Sequence, residues 1–426
     1  MKPPYSPRRV ALAVALFALA LRVAYVLVGG RHQGILPGHD AVSYDAFARL
    51  MLSGWQWVSA PLAVREPVYP AFMAFVYALP TPEFGTLQAV QALLGAATAA
   101  LIYLGLRERA GEAVAVVCAL VVAVNPDFII YAPQPLRENV VIPLLTAFLV
   151  GFLSAMARGG RWRLFLSMLW FVLLCHADVR FLPLVATLPV MVYLCLRDAK
   201  VTLRQSAWLF LFFAVLMVPY QVRSSLALGE PVIITERFLG KWLDRAAAVT
   251  TGSDLAGARG GRDAWLGEWE SRKRGHLDAL SEAERAYFLA GGRPHTARLA
   301  VHWDLLVEYW RFARLRPMYR PYPDGRFEDV WSLQHNASGI AVVLPFFVLL
   351  PYLARKWTPP ERWVALPLLF FLLAHTLMHV LVHARSRYRI PMELITSIIV
   401  GMALVHLWNA WRGGRAADAR SAPVGN

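Results

Sequence analysis

Cysteine is scarce in this chain. Cys118, Cys175 and Cys195 are its only three in 426 residues, and each falls inside an apolar run. They read as small buried hydrophobes, which excludes a disulfide-stapled scaffold and a thiolate zinc cluster. Charge is scarce as well. Only 17% of residues are charged and 58% are apolar, whereas a soluble domain has about 25% and about 45–50%. That balance excludes a soluble globular protein and calls for an integral membrane protein. No internal repeat is apparent, and the first apolar run lacks a small-residue cleavage site close behind it. It is therefore expected to stay as a helix and not to leave as a signal peptide.

The charge that is present has a sign, a net +15, and its distribution gives the reason. With the N-terminus (Lys2, Arg8, Arg9) in the cytoplasm, alternate connections hold Arg107 and Arg109, then Arg158, Arg161 and Arg163, then Arg197, Lys200 and Arg204, then Arg355, Lys356 and Arg362. Arg412, Arg415 and Arg420 follow in the tail. This is the positive-inside pattern of a multi-pass protein and needs no nucleic acid as partner. Apolar runs predict about ten spans, near Val10–Gly29, Gly85–Leu106, Ala113–Val124, Glu138–Ala157, Leu164–His176, Phe181–Leu196, Gln205–Val222, Gly339–Leu353, Trp363–His383 and Ile390–Trp411. Some are shorter than the roughly 20 residues of a straight crossing.

The expected organisation is an all-α polytopic membrane protein. Residues 1–223 form a transmembrane region with its first outer loop at 30–84, residues 224–337 a hydrophilic outer region that is mainly helical, residues 338–412 the last spans, and residues 413–426 a cytoplasmic tail. In the outer region Ser281 and Glu284 make a capping box, and a second, amphipathic helix is expected from Pro294 to Arg316.

The first outer loop is unusual. Its core reads PGHDAVSYDAFARLMLSGWQWVSAPLAVREPVYPAFMAFVYALP from Pro37 to Pro80, with Asp40, Asp45, Arg65 and Glu66 set among Tyr44, Phe47, Trp55, Trp57, Tyr69 and Phe72. A solvated linker would be poorer in aromatics, and a spanning helix would not hold those charges with five prolines. The composition suits short surface helices that hold carboxylates over a cavity. Most other ionisable residues outside the hydrophilic region fall at the same outer rim: Asp127, Arg137 and Glu138; His176, Asp178 and Arg180; Arg223; and Arg385, Arg387 and Arg389 with Tyr388. Three arginines in an outer turn oppose the positive-inside bias, so an anion is expected to offset them. Guanidinium groups bind phosphate through paired hydrogen bonds at poorly solvated sites.

Carboxylates early in the chain and arginines late in it suit glycosyl transfer from a lipid phosphate. A carboxylate takes a proton from an acceptor hydroxyl, the oxygen attacks the anomeric carbon, and arginines stabilise the departing phosphate.

Four stretches extend this reading: GHDAVSYDAFARLMLSG followed by REPVYPAFMA, NPDFIIYAPQPLRENVVIPLLTAFL, MVPYQVRSSLALGEPVII and HARSRYRIPMELI. In content and order the chain resembles the C-type (GT-C) membrane glycosyltransferases. The likeness is to the bacterial family-39-like branch, beside protein O-mannosyltransferases and the lipid A aminoarabinose transferase. The resemblance implies a bundle of about ten transmembrane helices, an active site on the outer face of a bacterial inner membrane and a polyprenyl-phosphate-linked sugar donor. It also implies inverting transfer of a hexose or pentose to a glycan, lipid or protein acceptor. Its first acidic position maps to Asp40 as base and its loop-end acidic position to Glu66. Tyr44, Asp45, Arg65, Tyr69, Arg137, Glu138, Arg180, Arg223, Arg387, Tyr388 and Arg389 are the further substrate-binding candidates. Some relatives pair acidic residues at the first position. Here His39 precedes Asp40, so a divalent cation, the one cofactor with room in this reading, is offered a single carboxylate there.

Local explanations compete at several positions. Asp40 also suits a helix N-cap, Asp178 a simple pair with Arg180, and Glu138 a helix dipole. Arg22 and Arg223 are expected to snorkel. His375, His379 and His383 form a stripe, more suited to hydrogen bonding than to metal because no carboxylate is interleaved. The rival reading of the whole chain is a polytopic transporter or lipid-linked sugar flippase, which would put its charges near the midplane.

Overall fold

A computed structural model describes residues 6–30, 40–53, 66–80, 84–228, 306, 310, 337–382 and 386–421. These are mostly helical, with no strand among them. The expected helices of the hydrophilic region, with Ser281, Glu284 and Pro294–Arg316, lie outside the described residues.

Helix α1 is Pro7–Tyr25, opened by the Ser6 cap with Pro7 behind it, where a missing N–H costs nothing. It is prolonged by a π turn, Val26–Gly30. The first outer loop folds into α2 (Asp40–Leu52) and α3 (Val68–Tyr77). The chain then runs down α4 (Phe84–Ala110), up α5 (Glu112–Val124) and through a one-turn helix α6 (Pro126–Ile130). Next it runs down α7 (Glu138–Arg158) and up α8 (Arg161–Ala177). Gly159 and Gly160, with φ of +69° and +97°, make the tight reversal between these two, a conformation that a Cβ disfavours. A 3₁₀ stretch (Val179–Thr187) and α9 (Leu188–Leu196) descend together, and α10 (Ala199–Leu228) returns. After the hydrophilic region come a π turn (Gly339–Val343) with α11 (Leu344–Lys356), then α12 (Pro359–Val382), a 3₁₀ turn (Ser386–Met392) and α13 (Glu393–Ser421).

Eight helices among the described residues are long and apolar enough to cross a membrane: Pro7–Val28, Phe84–Ala110, Glu138–Arg158, Val179–Leu196, Ala199–Leu226, Gly339–Lys356, Pro359–His379 and Arg389–Arg412. The other two expected spans are short: α5 has 13 residues and α8 has 17. At 1.5 Å per residue, α5 is roughly 20 Å long and ends inside a hydrocarbon layer of roughly 30 Å. It tolerates this because one face of it is packed on protein. α1, α4 and α13 pack around it, and Ala115, Cys118, Ala119, Val122 and Ala123 are fully buried. Two expected boundaries fall within helices: α10 continues past residue 223, and α13 continues into the segment read as a tail.

One expectation is overturned. Arg22 does not snorkel. It is 1% exposed, and its Nη1 donates to the carbonyls of Ala18 (2.9 Å) and Ala123 (3.3 Å). Ala123 lies in the last turn of α5, whose carbonyls have no intrahelical partner. Arg22 thus brings a cation to the negative end of a helix that stops short in the bundle. Gly95 makes the room, since a Cβ there would meet the Arg22 side chain. Arg223, also expected to snorkel, is 5% exposed and sits over Tyr220, 5.3 Å from the ring centroid.

Candidate active site at the outer rim

The connection between α6 and α7 is irregular and buried, so its backbone carbonyls need donors. Three amide side chains supply them. Gln88 Nε2 donates to Pro133 O (3.1 Å), and Gln91 Nε2 to Ala132 O (2.8 Å) and Gln134 O (3.0 Å). Asn139 Nδ2 donates to Tyr131 O, Gln134 O and Leu136 O. Tyr69 reaches across from α3, its hydroxyl donating to Gln91 Oε1 at 2.8 Å. This second outer loop is therefore held by α3, α4 and α7 together, and it delivers Arg137 and Glu138 to the rim.

Arg137 is the centre of a chain of alternating charges. Its Nη1 donates to Glu66 Oε1 at 3.1 Å, and its Nε lies 3.6 Å from Asp178 Oδ2. Asp178 in turn accepts from Arg180, with Nε 2.7 Å from Oδ1 and Nη2 on Oδ2. Three outer loops, far apart in sequence, thus meet at one end of the bundle. Asp178 is 2% exposed. Burial opposes its charge, yet Arg137 and Arg180 hold the carboxyl well below the usual range. Burial likewise opposes the Arg137 cation, but Asp178 and then Tyr44, Glu66 and Glu138 keep it charged more firmly than usual. Such a chain holds only with both signs present. Removing one member of a buried pair typically costs about 3–5 kcal/mol.

The first-loop helices stand beside this chain. Tyr44, Phe47, Ala48 and Met51 of α2 pack with Tyr69, Met73 and Val76 of α3 on Leu87 and Val140. The Tyr44 and Tyr69 rings meet edge to face at 5.0 Å. Asp45 joins the two helices, accepting from Tyr77 Oη at 2.8 Å and pairing with Arg49 at 2.8 Å. Burial and the Asp45 carboxylate both raise the Tyr77 phenol. Asp40 is half-buried and is the first residue of α2, with Ser43 Oγ donating to its carbonyl at 2.7 Å.

Tyr220 stands edge-on to His176 (4.5 Å between centroids), accepts from Arg223 Nη1 at 3.4 Å and lies near enough to Glu66 to feel its charge. His375 packs on Phe181 (5.3 Å) and His379 (4.4 Å). Glu138 is 2% exposed at the head of α7.

A second polar cluster lies behind the last outer turn. Glu393 is fully buried. Its Oε1 accepts from Arg389 Nε at 3.1 Å, and its Oε2 from Ser338 Oγ at 2.6 Å and Asn125 Nδ2 at 3.3 Å. Asn125 also donates to Ser397 Oγ at 3.1 Å and caps α6 through Oδ1. Asp127, 1% exposed, is near enough to act on the Glu393 charge.

The structure therefore brings Glu66, Arg137, Arg180 and, through Tyr220, Arg223 to one place, with Tyr44 and Glu138 beside them. It puts Asp45 and Tyr69 in the packing between α2, α3 and α4, and Arg389 on Glu393. His39, Arg65, His383 and Arg385 lie outside the described residues, as do the side chains of Arg387 and Tyr388. Among the described residues no three His, Cys, Asp or Glu side chains converge as metal ligands would. Glu66 and Asp178 are committed to arginines, a poor fit to a cation site. Sequence reasoning missed Gln88, Gln91, Asn125, Asn139, Ser338 and Glu393. Their signal is polar side chains at helical spacing in otherwise apolar runs, such as Gln88 with Gln91 and Arg389 with Glu393.

No family model matches the sequence, and no curated protein matches it either. Solved structures do. The AglB oligosaccharyltransferase of Archaeoglobus fulgidus, in complex with an inhibitory peptide and a dolichol-phosphate, superposes with a TM-score of 0.58 at 13% identity, over 99% of this chain and 52% of that one. Its apo form gives 0.58 at 14% identity, over 99% and 53%. ArnT of Cupriavidus metallidurans, bound to undecaprenyl phosphate, gives 0.52 at 16% identity, over 97% and 63%. The chain spans about half the length of AglB and less than two thirds of ArnT. A likeness at this identity shows the fold: the bundle is of the GT-C type.

Proposed function

We propose that the protein is an inverting membrane glycosyltransferase that moves one sugar from a polyprenyl-phosphate donor to an acceptor on the extracytoplasmic face of a bacterial inner membrane. The observation that carries this reading is the chain Glu66–Arg137–Asp178–Arg180, which gathers three loops at one end of the bundle beside Tyr44, one turn along α2 from Asp40. A transporter would instead keep its ionisable groups near the bilayer midplane. The fold adds weight, because two proteins sharing it were solved with a dolichol-phosphate and with undecaprenyl phosphate.

In this reading the Asp40 carboxylate accepts the proton of the acceptor hydroxyl. The oxygen bonds to the anomeric carbon as the bond from that carbon to the phosphate oxygen breaks. The electron pair leaves on the polyprenyl phosphate, and the configuration inverts. Arg387, Arg389 and Arg223 meet the charge that grows on the leaving group. Arg137, Arg180, Glu66 and Glu138 position the sugar and acceptor between them. Tyr44, Tyr69 and Asp45 act from behind, holding the first-loop helices, and Arg65 and Tyr388 complete the substrate contacts.

The test uses membranes carrying wild type or Asp40→Asn, supplied with a panel of radiolabelled polyprenyl-phosphate hexoses and pentoses. Wild type should release label to an acceptor. Asp40→Asn should lose transfer by about 10²–10⁴-fold, the usual contribution of a positioned base, with donor binding retained. An active Asp40→Asn would sink the assignment of the base. Wild type that moves a lipid-linked sugar across liposomes without transfer would instead favour the flippase reading.

A further inference from the structure

Of the second polar cluster only Arg389 has a part in the chemistry above; Glu393, Ser338 and Asn125 have none, yet they are joined to it by hydrogen bonds. A carboxylate with no solvent exposure is costly unless each lone pair is met. Glu393 receives three donors, from three separate parts of the chain: Arg389 of the last outer turn, Ser338 at the head of the span Gly339–Lys356, and Asn125 at the end of α5. Each of these donors is itself buried: Arg389 is 3% exposed and Ser338 and Asn125 are fully buried. Asn125 is held in turn by Ser397, one turn further along α13. The 3₁₀ turn Ser386–Met392, with Arg387 and Arg389 in it, is thereby tied to the junction from which the second outer loop departs toward Arg137.

We propose that Glu393 is a positioning residue for lipid phosphate. It fixes the Arg389 guanidinium and the turn that carries it, and sets them at a constant distance from the second outer loop, so that a phosphate monoester on a lipid tail meets preorganised donors. A guanidinium tied at Nε by a carboxylate is oriented as well as charged, and orientation matters for bidentate binding of phosphate. This rests on the reading of the last outer turn as the phosphate end of the site.

The test is equilibrium binding of polyprenyl phosphate and of the uncharged polyprenol to purified, detergent-solubilised protein. It compares wild type, Glu393→Gln, Glu393→Asp and Ser338→Ala, each checked for a cooperative unfolding transition. Wild type should prefer the phosphate. Glu393→Gln should weaken polyprenyl phosphate binding by about tenfold, the loss of one charge-assisted bond, while polyprenol binding stays level. The Asp variant should fall between the two. Ser338→Ala, which removes one neutral donor from Glu393, should weaken the phosphate alone by about threefold, and it decides the matter if Glu393→Gln does not fold. Unchanged phosphate binding in the folded variants would overturn the proposal. So would parallel loss of both lipids, the mark of a merely structural residue, or a wild type indifferent to the phosphate. A wild type that shows these binding differences but transfers no sugar would sustain the positioning role and defeat the glycosyltransferase reading.

Discussion

Arg22 and Gly95 form a pair that only folding makes visible. A guanidinium within an apolar helix ordinarily reaches for the interface, and ALALRVAYVL gives no reason to expect otherwise. The reason lies elsewhere in the chain, in a helix too short to end in water and a glycine that leaves a slot. The pairing has a measurable consequence. Gly95→Ala should lower stability by about 1–3 kcal/mol, the usual cost of overpacking, because its Cβ would meet the Arg22 side chain. With Arg22→Ala as background that cost should vanish, and the change should become neutral or mildly stabilising, since alanine is the better helix former. Thermal unfolding in detergent of both single variants and the double variant supplies the cycle. Equal losses in the two backgrounds would show that Arg22 does not occupy the slot. The same contrast governs the rim. Asp40, Glu66, Arg137, Arg180 and Arg389 were legible as charges where the lipid-facing pattern stops. Their partners were not, because the pairs Glu66–Arg137 and Asn125–Glu393 join residues far apart in the chain.

At the scale of elements, hydropathy located the eight long spans but could not rank them by burial. α10 turns Leu211, Val215, Val218 and Val222 outward, as a lipid-facing helix does. α5 is as apolar and nearly as plain in sequence, yet it buries a whole face of small residues against its neighbours. Its distinguishing mark is size: Ala115, Cys118, Ala119 and Ala123 let backbones approach closely, the usual route to tight packing where lipid tails remove the hydrophobic drive. It approaches α13 closely, where Cys118 Sγ lies 3.2 Å from Ile398 O. A Cβ on Gly401 would fall 2.6 Å from the Cys118 Cα. That contact is with backbone, so no rotamer relieves it. Gly401→Ala should therefore separate α5 from α13 and cost about 1–3 kcal/mol or more, read as a lower unfolding midpoint in detergent. Ala403, on the same helix, should tolerate Gly better than Gly401 tolerates Ala. An unchanged midpoint for Gly401→Ala would mean that the two helices pack less closely than described.

For the molecule as a whole, the two ends of the bundle differ in kind. One end carries the buried ion pairs of the rim. The other carries arginines laid on tryptophans: Arg109 is 4.7 Å from the Trp363 ring centroid, Arg161 is 4.5 Å from Trp208, and Arg412 is 5.1 Å from Trp408. Indoles and guanidinium groups together suit a headgroup layer, and an excess of basic residues is what the positive-inside pattern expects of a cytoplasmic end. The orientation can be read directly, because Cys118, Cys175 and Cys195 are all buried and give a quiet background to thiol labelling. Ser53→Cys adds a thiol at an exposed position just past α2, and Arg158→Cys adds one at the opposite end of α7. Arg158 there pairs with Glu108 across an exposed surface, where losing an ion pair costs little. A membrane-impermeant maleimide should label Ser53→Cys in intact cells, and Arg158→Cys only after permeabilisation. The reverse result would turn the rim toward the cytoplasm, removing the extracytoplasmic acceptor from the proposed reaction while leaving the GT-C-type bundle as described. Labelling of both in intact cells would contradict the alternation of the spans between Ser53 and Arg158, and with it the gathering of the rim charges on one face.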